Sequence, residues 1–202
     1  MKYIIIIIVI TLIYFSLIKK EATIYPINTQ ETILAFGDSL TYGKGSHEQS
    51  YPKQLQNLIK IKTINAGVIG ETSSDGLKRL PSLLKKYHPA LVVLCHGGND
   101  FLKKKSHSTL KSNLLKMSQL IKSSGANVLL VGVPNFKMYH FVRVDLYEEV
   151  ANEVDVMFEG DVLTEIENNT DLKSDRIHPN AKGYALMAQT FADILVKHKL
   201  IN

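Results

Sequence analysis

Ile33-Leu34-Ala35-Phe36-Gly37-Asp38-Ser39-Leu40 joins a short, wholly apolar run to a glycine-containing turn with a serine inside it. The apolar half reads as a buried β-strand. The polar half reads as the turn into a helix. A strand-to-helix turn is where an α/β fold exposes a nucleophile beside unpaired backbone N–H groups. Ser39 is then a candidate nucleophile, or simply a helix N-cap, since serine is favoured at both places.

Working outward, four more runs share the strand signature: 61–65, 90–95, 127–133 and 154–158. Most end at Gly, Pro, Asn or Asp. Between them the apolar residues fall at helical spacing over 51–60, 75–87, 108–123, 145–152, 161–167 and 180–198. In the third of these, Leu110, Leu114, Met117, Leu120 and Ile121 share one face, and Gly125 follows as a stop signal. Alternating strands and helices, with strands apolar on both faces, predict an α/β fold: a parallel sheet covered by helices on both sides. Ligands of such sheets bind beyond the carboxyl ends of the strands.

Four polar blocks sit at those predicted strand ends. They are Gly37-Asp38-Ser39-Leu40, then Asn65 through Thr72 (NAGVIGET), then Gly97-Gly98-Asn99-Asp100, and finally Asp175-Arg176-Ile177-His178-Pro179 before the last helix. In a parallel sheet all four loops gather at one edge. Serine, histidine and aspartate are the parts of a nucleophilic triad, and a glycine N–H and an asparagine amide are oxyanion donors. The three-residue step from Asp175 to His178 lets the carboxylate hold Nδ1–H and leave Nε2 toward the serine. Asp38 is expected to bond loop amides, and Asp100 to form a local Asx-turn.

These blocks, in this order, resemble the SGNH (GDSL) hydrolase family, in its bacterial thioesterase, lysophospholipase and arylesterase branch. The resemblance covers residues 32 to 196. It implies a three-layer α/β/α sandwich related to flavodoxin and a metal-free, cofactor-free serine esterase of acyl esters or thioesters. It implies Ser39 as nucleophile, His178 as base and Asp175 as its orienting partner. Ser39 N–H, Gly70 N–H and the Asn99 amide are the implied oxyanion donors. A carbohydrate O-deacetylase of the same family and a silent anchored binding module are the alternatives. Cys95-His96 stand where that branch more often carries an acidic and an apolar residue.

The segment from Pro134 to Tyr147 is expected near the acyl pocket, with Phe136, Met138, Tyr139 and Phe141 as lining candidates. The only cysteine, Cys95, excludes an intrachain disulfide and reads as a buried small hydrophobe. Histidines 47, 88, 96, 107, 140 and 198 show no metal-ligand spacing and read as surface or loop residues. Residues 37–45 superficially resemble a phosphate-binding loop, but five residues separate the relevant glycines and Gly45 follows Lys44, so the pattern fails.

The 202 residues carry a net charge of +5, with 45% apolar and 21% charged residues, values of one folded domain. The lysine clusters lack interleaved stacking aromatics, so nucleic acid is not an expected partner. Tyr3 through Ile18 is an unbroken apolar run ended by Lys19-Lys20-Glu21. Residues 1–20 read as an uncleaved signal-anchor, with a cleaved secretory signal as the alternative. The expectation is a monomer held to a membrane through residues 3–18. Residues 21–31 form a linker, and a catalytic domain of 32–202 lies in the periplasm or otherwise outside the cytoplasmic membrane.

Overall fold

The computed structural model describes residues 25–46 and 48–201. The apolar run at the N-terminus lies outside them. Among the described residues, no helix is long and apolar enough to cross a membrane.

Five strands form one parallel sheet: β1 (Thr32–Gly37), β2 (Lys62–Gly67), β3 (Leu91–Cys95), β4 (Asn127–Val131) and β7 (Met157–Glu159), in spatial order β2-β1-β3-β4-β7. A two-stranded antiparallel hairpin, β5 (Asn135–Lys137) and β6 (His140–Val142), follows β4. The helices are α1 (Ser39–Tyr42), α2 (Tyr51–Ile59), α3 (Ser73–Tyr87), α4 (Gly98–Leu102), α5 (His107–Ser123), α6 (Leu146–Val154), α7 (Val162–Asn168) and α8 (Ala181–Lys197). Helix α2 packs on α8, while α3 packs on α5 and α5 on α6. The two groups flank the sheet, as right-handed crossovers from β1 out to β2 and from β2 back across β1 to β3 require.

The core is the sheet itself. Ile33, Leu34, Ala35 and Phe36 of β1 and every residue of β3 are fully buried. Strands buried on both faces have no polar side to alternate, which is why these runs are continuously apolar. The predicted strand over 154–158 instead begins at Met157. Val154 ends α6, and Asp155 closes it in the left-handed region at φ 53°, its N–H bonded to Ala151 O. This leaves only the last two predicted residues for the strand.

The strand order reverses at β1. Strand β2 lies on one side of it and β3 on the other, with Gly37 level with both Gly67 and Cys95. That reversal opens a crevice at the carboxyl edge. The loops after β1, β2 and β3 all empty into it.

Candidate active site

Gly37 ends β1 because nothing larger fits. A Cβ there would stand 2.2 Å from both Cys95 O and Thr41 Oγ1. Asp38 then caps α1, its Oδ1 accepting the Leu40 N–H at 3.0 Å. The N-cap is therefore Asp38 rather than Ser39. Ser39 becomes the first helical residue, its side chain free to face the crevice. The last block forms a tight loop closed by Ser174 N–H donating to His178 O at 2.9 Å. Inside it Asp175 Oδ1 accepts the N–H groups of Ile177 (2.9 Å) and His178 (3.0 Å).

These two loops, 139 positions apart, meet. His178 Nε2 lies 3.1 Å from Ser39 Oγ. His178 Nδ1 lies 2.9 and 2.8 Å from the two Asp175 oxygens. An ionised carboxylate only accepts, so Nδ1 carries the proton and Nε2 is the acceptor for the serine hydroxyl. Ser39 and His178 are buried, whereas the Asp175 side chain is 47% exposed. Burial pushes the Asp175 carboxyl up, but the Ile177 N–H and His178 outweigh it, and the net shift is downward. Asp175 stays charged through the neutral range.

The loop after β2 places Gly70 at φ +78° with open space around its Cα. Among the described residues, neither Ser39 N–H nor Gly70 N–H donates to a protein acceptor. The Asn99 amide is engaged: Nδ2 lies 3.0 Å from Asp38 Oδ2 and 3.0 Å from Glu71 O. Both its hydrogens thus have protein acceptors, so Asn99 would donate to an oxyanion by sharing one of them. Asp38 is 1% exposed, and burial raises its carboxyl above the usual range despite these bonds.

A cleft of about 640 Å³ opens over Ser39, Gly70, Asn99 and His178. Phe136 and Phe141 line it, their rings packed edge to face at 5.1 Å. Met138 and Tyr139 do not: they form the turn of the β5–β6 hairpin and are 83% and 92% exposed. Hairpin pairing of Phe136 with Phe141 turns the tip away from the cleft. Glu167 and Arg176 were not singled out from sequence, yet both border the cleft. Glu167 Oε2 is buried without a hydrogen-bond partner, 3.9 Å from Lys173 Nζ.

Two sequence expectations are overturned here. Asp100 makes no local turn; its oxygens accept from Ser73 N–H (2.8 Å) and Ser73 Oγ–H (2.7 Å), tying the third loop to α3. His96 is fully buried, its ring 5.1 Å from that of Phe36 and its Nε2 3.1 Å from Glu71 Oε2. Burial pushes the Glu71 carboxyl up, but hydrogen bonds from His96 and Arg79 outweigh it and hold the carboxyl below its usual range. Cys95 is buried as expected. Histidines 88, 107 and 140 are exposed, His198 is half-buried, and His47 lies outside the described residues. No cluster of three metal-ligating side chains occurs among the described residues.

The profile of the GDSL-like lipase/acylhydrolase family matches residues 35–186. The chain belongs to this family. It is 34% identical over 179 residues to an arylesterase of Vibrio mimicus, covering 83% of this chain and 90% of that one. It is 31% identical over 170 residues to thioesterase 1/protease 1/lysophospholipase L1 of Escherichia coli K12, covering 80% and 82%. Among solved structures, the psychrotrophic esterase EstA of a Pseudoalteromonas species superposes with a TM-score of 0.74 at 26% identity, over 83% of this chain and 98% of that one. The SGNH α/β fold and the ester-hydrolysing class expected from the sequence are those found.

Proposed function

We propose that Ser39, His178 and Asp175 are the catalytic triad of this serine esterase, with Ser39 N–H, Gly70 N–H and Asn99 as its oxyanion hole. The observation that carries the reading is the 3.1 Å contact of Ser39 Oγ with His178 Nε2, continued at 2.8 Å from Nδ1 to Asp175. Ser39 Oγ attacks the ester carbonyl while its proton passes to Nε2. The new C–O bond pushes the carbonyl electron pair onto oxygen, where the two free N–H groups meet the charge. Collapse expels the alcohol or thiol, which takes the proton from His178, and leaves an acyl-serine. Water repeats the sequence and releases the acid. Each oxyanion donor is worth about 2.7–4 kcal/mol of barrier.

The preferred substrates are small acyl or aryl esters, thioesters and lysophospholipids. The cleft walls support this, since Leu40, Ile69, Phe101, Leu102, Phe136 and Phe141 present an apolar lining beside the serine. The names of the relatives point the same way. The domain acts as a monomer, tethered to a membrane by residues 3–18 and held outside the cytoplasm. That placement rests on the sequence of the run. Its geometry is favourable: Tyr25 is bonded to Asn127 at the start of β4, so the chain enters from the sheet edge opposite the cleft.

Ser39→Ala in folded protein should lower p-nitrophenyl butyrate turnover by about 10⁶-fold, to the level of its oxyanion hole alone. Turnover within tenfold of wild type would overturn the triad.

A further inference from the structure

The three oxyanion donors come from three different loops, and one ion pair touches all three. Glu71 directly follows Gly70. Its main-chain oxygen accepts from Asn99 Nδ2 at 3.0 Å. Its carboxylate takes a two-pronged contact from Arg79 on α3, Nε to Oε1 at 2.5 Å and Nη2 to Oε2 at 2.6 Å. The same Nη2 donates to Ala66 O at 2.7 Å, near the end of β2, and to Gly37 O at 3.2 Å, two residues before Ser39. The guanidinium carbon lies 4.3 Å from the centre of the Phe36 ring. On the other side, buried His96 closes on Glu71 Oε2.

The other ties on the Gly70 loop are a lysine and main-chain bonds: Lys103 Nζ donates to Gly70 O at 2.9 Å, and Val68 N–H to Gly37 O at 3.1 Å. Val68 and Ile69 are 44% and 52% exposed, so the loop contributes almost nothing apolar to the core. The Glu71 side chain, 6% exposed, is its inward anchor. A planar, permanently charged fork fixes a carboxylate in angle as well as distance, which an ammonium does not. A separate tie, Asp100 to Ser73, joins the third loop to the start of α3. Cutting the ion pair would therefore loosen the donors without releasing the loops from the fold.

We propose that Arg79 and Glu71 are positioning residues, holding Gly70 N–H and the Asn99 amide in register with Ser39. Neither is assigned contact with substrate. The inference rests on the esterase reading above. A donor displaced by a few tenths of an ångström loses oxyanion stabilisation while the ground-state ester, bound by the apolar walls, is unaffected.

The test is a double-mutant cycle of Arg79→Met and Glu71→Gln in the full chain, with p-nitrophenyl butyrate as probe. Wild type and Ser39→Ala run alongside, and exchange of the Glu71 amide hydrogen is measured in each variant. Each single variant should lose 10- to 100-fold in kcat with KM within twofold. The double variant should be no slower than Arg79→Met alone, because one interaction is removed twice. Arg79→Lys should recover only part of the loss. Glu71 N–H, bonded to Val68 O at 3.2 Å, should exchange faster in the Arg79 variant. Additive losses, or kcat within twofold of wild type in folded variants, would refute the positioning role. A wild type as inactive as Ser39→Ala would refute the esterase reading instead, and the exchange measurement would still decide whether the ion pair holds the loop.

Discussion

Glu167 is a carboxyl in the wrong dielectric, and replacing it by glutamine should change how stability depends on pH. Its side chain is 5% exposed, Oε2 has no hydrogen-bond partner, and Lys173 Nζ bonds the Glu167 main-chain oxygen at 2.6 Å while standing 3.9 Å from Oε2. Burial pushes its pKa from 4.5 up to about 7, with Lys173 opposing and Asp175 adding to the rise. Between pH 4.5 and 7 the unfolded chain has released this proton and the folded chain still holds it. The native state binds more protons, so stability falls as pH rises through that window and levels off above it. A shift of about 2.5 units at 1.36 kcal/mol each is about 3 kcal/mol, or roughly 6–12 °C in Tm for a domain of this size. Glu167→Gln keeps the shape and removes the titration. Urea unfolding of both proteins at pH 4.5 and pH 8 isolates the effect: the variant should gain about 3 kcal/mol on wild type between the two. A stability difference unchanged with pH would show that Glu167 is solvated or paired and would refute the reasoning.

Asp175→Asn should slow kcat by about 10³- to 10⁴-fold, because the Ile177 and His178 N–H groups hold the amide oxygen, which turns its NH2 toward Nδ1 and forces the wrong His178 tautomer; single-turnover kinetics on p-nitrophenyl butyrate measure it, and a loss under tenfold would contradict the geometry. Phe141→Ala should lower kcat/KM for butyrate over acetate esters by about 10-fold, since it strips an aromatic wall from the cleft, whereas Tyr139→Ser on the exposed hairpin tip should leave that ratio unchanged. A chain-length series of esters on both variants distinguishes the two positions.

The sheet was legible because its central strands β1, β3 and β4 are buried on both faces and so carry their signal in composition. All five parallel strands were placed, four of them within two residues at each end, while the fifth begins three residues late because Asp155 caps the helix before it. The short helices α1 and α4 and the β5–β6 hairpin were not. Each is too short to show a period, and each exists because loop groups bond one another. The hairpin turns at Met138, a non-glycine residue at φ 54°, which no turn-forming dipeptide announces.

The two halves of the site differed in legibility for a physical reason. The base half is local: Asp175, Ile177 and His178 bond within three residues of one another, so spacing alone conveys the geometry. The proposed oxyanion half is assembled across the chain. Asn99 meets Asp38 over 61 positions, Ser73 meets Asp100 over 27, and Asn113 meets Ser73 over 40. Asp38, Asp100 and His96 each had an unremarkable local reading, and none of those readings contained its partner. Buried polar groups must be paired, so every such residue at a sheet edge implies a contact from another loop, but the sequence does not say which. The tertiary pairing that hides these residues from sequence also couples them in function. Single substitutions on the oxyanion side should therefore combine non-additively through several loops, while those at Asp175 and His178 converge on the one contact with Ser39.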